Sequence, residues 1–229
     1  MCIEKIDNIR LIKDNLNHIR LELLEINPYY FRIAKESHHI LYRSMIEALR
    51  GTANLQITYN KKEKRKHTHY YKIDNAPWVK IQKVKISNCK FAWRFTEPIK
   101  CDPPENISDS NWDEISHEEF LIDFYEALAM IQSECFMKKY YMSKMVSISD
   151  LEMRNLEWLH IRVRNSFEHF IPSTWIIGKI ELLDVSLLCL TLSKELLFES
   201  QNIIYHQSMS DLSDSINYSI IKLNEIRKK

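Results

Sequence analysis

The chain has 229 residues, a formal net charge of +1 at pH 7 and a hydrophobic content of 45%. That composition is typical of a globular protein with enough apolar residues for a packed core, and the charge alone indicates no particular partner. Only two glycines are present, Gly51 and Gly178. So few glycines favour a helix-rich chain. Two glycines this far apart also exclude the glycine-rich phosphate loops GxGxxG and Walker A.

The cysteine pattern indicates a reducing compartment. The five cysteines are odd in number and no CxxC pair occurs, so we expect free thiols rather than a disulfide framework or a zinc site. The N-terminus has no apolar signal core. The most apolar run, residues 182–192, includes Asp184 and is too short to cross a bilayer. We therefore expect a cytoplasmic protein that does not engage a membrane.

Two helices are predicted at the start of the chain. Apolar residues alternate at spacings of three and four, as on one face of a helix, at Ile9, Ile12, Leu16, Ile19, Leu23 and Ile26. Asn27-Pro28 is expected to end this helix. A second helix is predicted from about Tyr30 to Arg50, with Gly51 as its C-terminal cap.

In residues 54–98 the helical spacing of apolar residues gives way to alternation between apolar and polar side chains. Alternation of period two predicts strands, here at 55–59, 70–73, 78–86 and 91–95. We interpret this segment as a small β-rich insertion in a single helical domain that spans residues 1–229.

Helices are predicted again after a polar loop. Ser116 and Glu119 have the spacing of a capping box, which predicts a helix carrying Phe120, Phe124, Leu128 and Ile131. A further helix is expected up to about Met145.

Three more helices are predicted in the last third of the chain. Ser149 or Asp150 is expected to cap a helix that runs to about Phe170 and stops at Pro172. Residues 175–201 form the next predicted helix. An amphipathic C-terminal helix is predicted by apolar residues at helical spacing, namely Leu212, Ile216, Ile220, Leu223 and Ile226.

The sequence Arg164-Asn165-Ser166-Phe167-Glu168-His169 combines the residue types needed for phosphate chemistry. Arginine supplies a planar cation for phosphate oxygens, and histidine exchanges protons near neutral pH. At about 100° per residue, Arg164 and His169 would lie roughly 140° apart on an α-helix. Glu168, four residues after Arg164, is placed to orient its guanidinium. An alternative interpretation is that arginine and histidine simply stabilise the negative end of a helix dipole.

The apolar residues of this motif helix predict which of its faces packs on the core. Leu156, Leu159, Val163, Phe167 and Phe170 fall within one narrow arc.

Arg154 and His160 also fit an Arg-x5-His spacing, so an arginine and a histidine at this kind of spacing occur more than once in this chain.

Residues 159–175 resemble the HEPN superfamily. The similarity lies in its Arg-x(4–6)-His signature, with a polar residue after the arginine, and in the Phe170, Pro172 and Trp175 that follow the histidine. It is close to a branch found in plasmid and phage-defence proteins. The resemblance implies a mainly α protein, an antiparallel helical bundle, in which segment 54–98 would be an insertion.

The resemblance also implies an activity, metal-independent cleavage of RNA by attack of the 2′-hydroxyl on the adjacent phosphorus. His169 would act as base or acid, Arg164 would bind the scissile phosphate, Asn165 would position a phosphate or the imidazole, and Glu168 would support them. Because one chain carries one motif, a homodimer with a composite site is expected. No cofactor and no metal are expected.

The expected biological setting is that of a toxin or antiviral effector with RNA as substrate, restrained by an antitoxin or another regulatory protein. Two alternatives stay open. One is a noncatalytic HEPN-like module that binds RNA, a nucleotide or a protein. The other is a helical scaffold in which the Arg-x4-His match is due to chance.

Charge is distributed unevenly along the chain. Residues 60–100 contain twelve Lys and Arg against three Asp and Glu, whereas residues 101–134 contain ten Asp and Glu and no Lys or Arg. RNA phosphates are a candidate ligand for the basic tip formed by Lys61, Lys62, Lys64, Arg65 and Lys66. A solvated hairpin tip, or a positive surface balanced by the acidic segment, is the alternative. The pairs His38-His39 and His67-x-His69 resemble metal ligands only superficially.

Overall fold

The computed structural model describes most of the helical residues and part of the β-rich segment. Contacts divide the chain into two compact units, one made of Met1–Glu47 with Ser147–Lys229 and the other of Ala48–Val146. The described residues are 7–50, 57–60, 68–71, 78–85, 93–96, 98–102, 119–164, 176–205 and 209–228.

The described part of the chain is mainly helical, as the sequence predicts. In chain order the helices are α1 (Asn8–Leu24), α2 (Tyr30–Leu49), α3 (Phe124–Ile131), α4 (Glu134–Met137), α5 (Asp150–Trp158), α6 (Lys179–Lys194) and α7 (Ser210–Arg227). Helices α5 and α6 continue as π-helical segments over Leu159–Arg164 and Glu195–Glu199. No helix among these residues is long and apolar enough to cross a membrane.

The strands all belong to the second unit. They are β1 (Thr58–Asn60), β2 (Thr68–Tyr71), β3 (Trp78–Lys85), β4 (Trp93–Phe95), β5 (Ile99–Cys101) and β6 (Glu119–Leu121). Strand β3 is central. It pairs antiparallel with β2 on one side, and with β4 and β5 along different parts of its length. Strands β1 and β6 form a separate antiparallel pair. The strands therefore extend past residue 98, the predicted end of the β-rich insertion.

One apolar core joins four helices of the first unit. Its buried members come from α1, α2, α6 with its π-helical extension, and α7, at helical spacings of three, four and seven. They are Ile12, Leu16, Ile19, Ile33, Ile40, Leu183, Leu190, Leu197, Leu212, Ile216 and Leu223. Each helix buries one stripe, which is how helix bundles exclude water.

Helix α2 is buried on more than one side. Ile33 and Ile40 face the shared core, while Leu41 and Met45, elsewhere on its circumference, are also fully buried. A helix that is buried around its circumference must satisfy any polar side chain it carries. Glu36 does so by accepting a hydrogen bond from the Asn15 side chain on α1. Arg43 donates to the side-chain oxygen Oδ1 of Asn15 at 2.6 Å.

Buried serines follow the same helical spacing as the core. Ser186, Ser193 and Ser200 are fully buried, and each hydroxyl donates to the carbonyl four residues earlier. Ser37 and Ser44 on α2 do the same. Such local bonds satisfy the hydroxyl without a partner on another helix, so these small side chains let helices pack closely at little cost.

The predicted helix boundaries are close to the observed ones where an apolar stripe packs on the core. The predicted positions of α2 and of the C-terminal helix are confirmed, and Ser149 caps α5 as expected. Gly51, the predicted cap of α2, lies outside the described residues. Helix α1 ends at Leu24, earlier than predicted, and Ile26 is 96% exposed. Helix α6 begins at Lys179 rather than at residue 175.

The prediction of a helix beginning near Ser116 is wrong. Glu119–Leu121 form strand β6, which pairs with β1, and α3 begins only at Phe124. Its N-cap is Asp123, whose carboxylate accepts from the Glu126 amide at 2.9 Å. The helix expected up to Met145 is confined to the short α4. Ser116 itself lies outside the described residues.

Helix α7 offers a matched pair of substitutions that tests the shared core. Ile216 is fully buried in it, and Ile221 on the same helix is 57% exposed. Ile216→Ala is expected to lower the free energy of unfolding by about 2–5 kcal/mol because it leaves a cavity. Ile221→Ala is expected to change it by less than about 0.5 kcal/mol. Thermal and urea unfolding followed by circular dichroism measure both, and equal losses would contradict this core assignment.

Candidate functional site

Helix α5 carries the described part of the Arg/His motif, and its start is fixed by a capping box. The Ser149 hydroxyl accepts from the Glu152 amide at 3.3 Å, and the Glu152 carboxylate accepts from the Ser149 amide at 2.8 Å. Leu156, Leu159 and Val163 are fully buried, which confirms the predicted core face over this range. Packing and capping together set the direction in which the helix presents Arg164.

The helix changes its hydrogen-bonding pattern just before the motif. Leu159–Arg164 form a π-helical segment. At the transition the Leu159 amide donates to the carbonyls of both Asn155 and Leu156. Segments of this kind are rare and are found frequently at functional sites, because they widen the helix and shift the side chains that follow. The sequence predicts an ordinary helix here, so the change in geometry is a finding of the structure.

Two histidines from different helices meet beside this segment. His38 Nε2 on α2 and His160 Nδ1 on the π-helical segment are 2.9 Å apart, which is a hydrogen bond. Their ring centroids are 5.1 Å apart with the planes inclined at 37°. The His39 ring lies edge-on to His38, with centroids 5.9 Å apart. His38 is only 2% exposed, so its ring has little freedom to leave this arrangement.

Both imidazoles of the pair favour the neutral form. Burial lowers the pKa of His38 well below its usual value, and His160, His39 and Arg164 lower it further. Burial and the Arg164 guanidinium lower the pKa of His160 to about 3. Near neutral pH one neutral ring therefore donates and the other accepts, and the direction depends on the tautomers.

Arg164 is placed at the end of the π-helical segment and is half-buried. It lies near enough to both imidazoles to influence their pKa values. Arg162, two residues earlier, is exposed. The described cluster therefore combines one partly buried cation with two neutral imidazoles, a combination able to bind an anion such as a phosphate.

Several predicted site residues lie outside the described part of the chain. These are Asn165, Glu168 and His169 of the motif and the basic tip residues Lys61, Lys62, Lys64, Arg65 and Lys66. Phe167 and Phe170 of the predicted core face lie outside it as well. Their predicted roles stay predictions.

A second buried histidine belongs to the other unit. His69 on β2 and Glu126 on α3 are joined at 2.6 Å between Nδ1 and Oε1, and both side chains are almost fully buried. The His69 ring also packs on Phe95, with centroids 5.6 Å apart. Because this pair is closed off from solvent, we assign it a structural role that fixes α3 on the sheet.

A groove of about 550 Å³ lies between α1 and α7. Lys13 and Arg20 line one side, and Asp211 and Asp214 line the other. Neither Arg164 nor the two histidines are among its lining residues. The groove is therefore distinct from the cluster around Arg164.

The functional residues that the sequence interpretation missed are His38 and His160. His38 appears in the sequence only beside His39, as a superficial metal pattern, and His160 only as part of a second Arg-x5-His spacing. The available signal was a histidine within a predicted helix, because such a side chain needs a hydrogen-bond partner if the helix is buried. The sequence does not reveal that the partner is 122 positions away.

Comparisons with protein-family models, with curated proteins and with solved structures found no match to this chain. Within the described ranges, no group of three or more His, Cys, Asp and Glu is arranged to hold a metal ion.

The neutral histidine pair predicts a loss of stability in acid. Because both folded pKa values are lowered, the unfolded chain takes up protons first as the pH falls below about 6.5. The stability contributed by the neutral pair is therefore complete above about pH 6.5 and decreases towards pH 3. Each group contributes a slope of at most about 1.4 kcal/mol per pH unit.

The variant His160→Gln should show a shallower decrease of unfolding free energy between pH 6.5 and pH 4 than the unsubstituted protein. Urea unfolding at several pH values measures this slope. Identical slopes in the two proteins would contradict the lowered pKa of His160 in the folded protein.

Proposed function

We propose that this protein is a metal-independent endoribonuclease of the HEPN type. The observation that carries the proposal is the environment of Arg164, the first residue of the motif. It lies in a π-helical segment beside two imidazoles, one buried and one half-buried, whose pKa values it lowers. A guanidinium held in a partly buried position binds a phosphate more strongly than a fully solvated one.

The proposed reaction is transesterification within RNA. A base removes the proton of the 2′-hydroxyl, whose oxygen then attacks the adjacent phosphorus. The bond to the 5′-oxygen breaks, and an acid delivers a proton to that leaving group. The products are a 2′,3′-cyclic phosphate and a 5′-hydroxyl end. Arg164 would stabilise the extra negative charge on the phosphorane, and His169 would transfer a proton.

We propose a homodimer as the active form. The reaction needs both an acid and a base, whereas each chain carries one such motif, and a two-fold axis would bring two copies of the motif together. Asn165 and Glu168 would orient the phosphate and Arg164, and the basic tip would add contacts to RNA phosphates.

The proposed setting is that of a toxin or antiviral defence effector in the cytoplasm, controlled by an antitoxin or another regulatory protein. The proposal follows from the resemblance of the motif region to plasmid and phage-defence proteins.

A noncatalytic RNA-binding module is the second candidate, and one observation favours it. The imidazoles of the described cluster are held neutral by burial and by Arg164. Near pH 7 they are poorly suited to exchange protons, because efficient acid–base groups have pKa values near the working pH. The described cluster alone therefore supports anion binding, and cleavage depends on His169.

Cleavage of RNA in the presence of EDTA tests the proposal. The unsubstituted protein should yield 2′,3′-cyclic phosphate ends, and Arg164→Ala and His169→Ala should each lower the rate at least about a hundredfold. Arg162→Ala is the matched control, since it removes an exposed arginine two residues away. Its rate should stay within about threefold of the original.

Two outcomes would overturn the proposal. One is an unchanged rate in folded His169→Ala or Arg164→Ala protein. The other is RNA binding that Arg164→Ala weakens, without any cleavage by the unsubstituted dimer, which would support the noncatalytic module instead.

A further inference from the structure

The bond between His38 and His160 connects the motif helix to the most buried helix of the first unit. His38 belongs to α2, whose apolar residues lie in the shared core, and it is almost completely buried. His160 belongs to the π-helical segment that ends at Arg164. The hydrogen bond of 2.9 Å between the two rings is a direct polar link between these elements.

We propose that His38 and His160 are positioning residues for Arg164, and that their hydrogen bond fixes the π-helical segment in the arrangement in which the guanidinium meets a phosphate. The proposal rests on the proposed function, because it assigns a role within that same site. Neither histidine is assigned contact with the RNA.

Helical geometry explains why a bond at His160 reaches Arg164. Side chains three to four positions apart lie on neighbouring parts of a helix surface. His160 and Arg164 are four apart, and the Arg164 charge influences both rings. A segment with π-helical hydrogen bonds is not held by the regular pattern of the preceding helix. The bond between His38 and His160 adds a tertiary restraint on the position of this segment.

The chemistry of the pair suits a neighbour of a phosphate-binding arginine. A carboxylate on either helix would form a hydrogen bond too, but its charge would offset the guanidinium that the phosphate needs. Two neutral imidazoles form the bond without adding a negative charge beside the guanidinium. Misplacement of a catalytic group by about 1 Å can lower a rate by about a hundredfold, so a small shift of this segment is enough to matter.

The test is a double-mutant cycle in the full-length protein, assayed on an RNA oligonucleotide below the melting temperature of every variant. His38→Ala and His160→Ala should each lower kcat about tenfold to a hundredfold and change KM by less than about threefold. The double variant should be no worse than the single ones by more than about threefold, because removal of either ring already breaks the bond.

Rescue separates a positioning role from a general loss of packing. In His38→Gln the side-chain amide can replace the ring nitrogen that bonds His160, and kcat should return to within about threefold of the original. His39→Ala, which removes a ring beside His38 but outside the bond, serves as the matched control. Additive losses in the cycle, or equal losses in His38→Gln and His38→Ala, would overturn the proposal.

The outcomes also distinguish this inference from the proposed function. One outcome is that Arg164→Ala abolishes cleavage whereas His38→Ala and His160→Ala leave its rate unchanged. That outcome would refute the positioning role and would still support the proposed ribonuclease activity. If the unsubstituted protein does not cleave, affinity for an RNA carrying 2′-O-methyl groups replaces kcat as the readout. A loss of affinity shared by Arg164→Ala and His38→Ala would then support positioning, and an effect of Arg164→Ala alone, or of neither, would overturn it.

Discussion

The burial of α2 is the constraint on which the candidate site depends. Its apolar residues enter the core shared with α1, α6 and α7, and further buried residues lie elsewhere around the helix. A buried polar side chain costs free energy unless it is hydrogen-bonded. Glu36 accepts a hydrogen bond from Asn15 of α1, and Nε2 of His38 bonds Nδ1 of His160 beside α5. The buried polar side chains of α2 therefore hold Asn15 of α1 and His160 beside α5 in fixed positions.

Burial and the charge of Arg164 both favour the neutral form of the two imidazoles. Removal of the two rings from water favours their neutral forms, and the nearby Arg164 disfavours a second positive charge. The hydrogen bond between neutral rings is therefore compatible with a cation beside it, which a charged pair would not be. The π-helical geometry of Leu159–Arg164 belongs to the same arrangement, because it sets where His160 and Arg164 lie relative to α2.

Sequence periodicity was informative where a single stripe of apolar residues packs on one core. The C-terminal helix is predicted for this reason, and the cap of α5 at Ser149 is a local pattern that needs no tertiary information. The interpretation is wrong for the start of the helix predicted near Ser116, because Glu119–Leu121 form a strand, whereas Phe124–Ile131 are helical as predicted. A capping-box pattern competed there with pairing between Glu119–Leu121 and Thr58–Asn60, and such a nonlocal ladder leaves no mark in a short window of sequence.

The sequence by itself determined the helical class of the chain, most of its described helix positions and the presence of an arginine–histidine motif from Arg164 to His169. Those features depend on local spacing, capping and the near absence of glycine. The tertiary structure alone decided that His38 and His160 share a hydrogen bond, that their imidazoles are neutral, and that the helix widens before Arg164. All three depend on burial and on contacts between residues far apart in the chain, and none is encoded in the spacing of one segment.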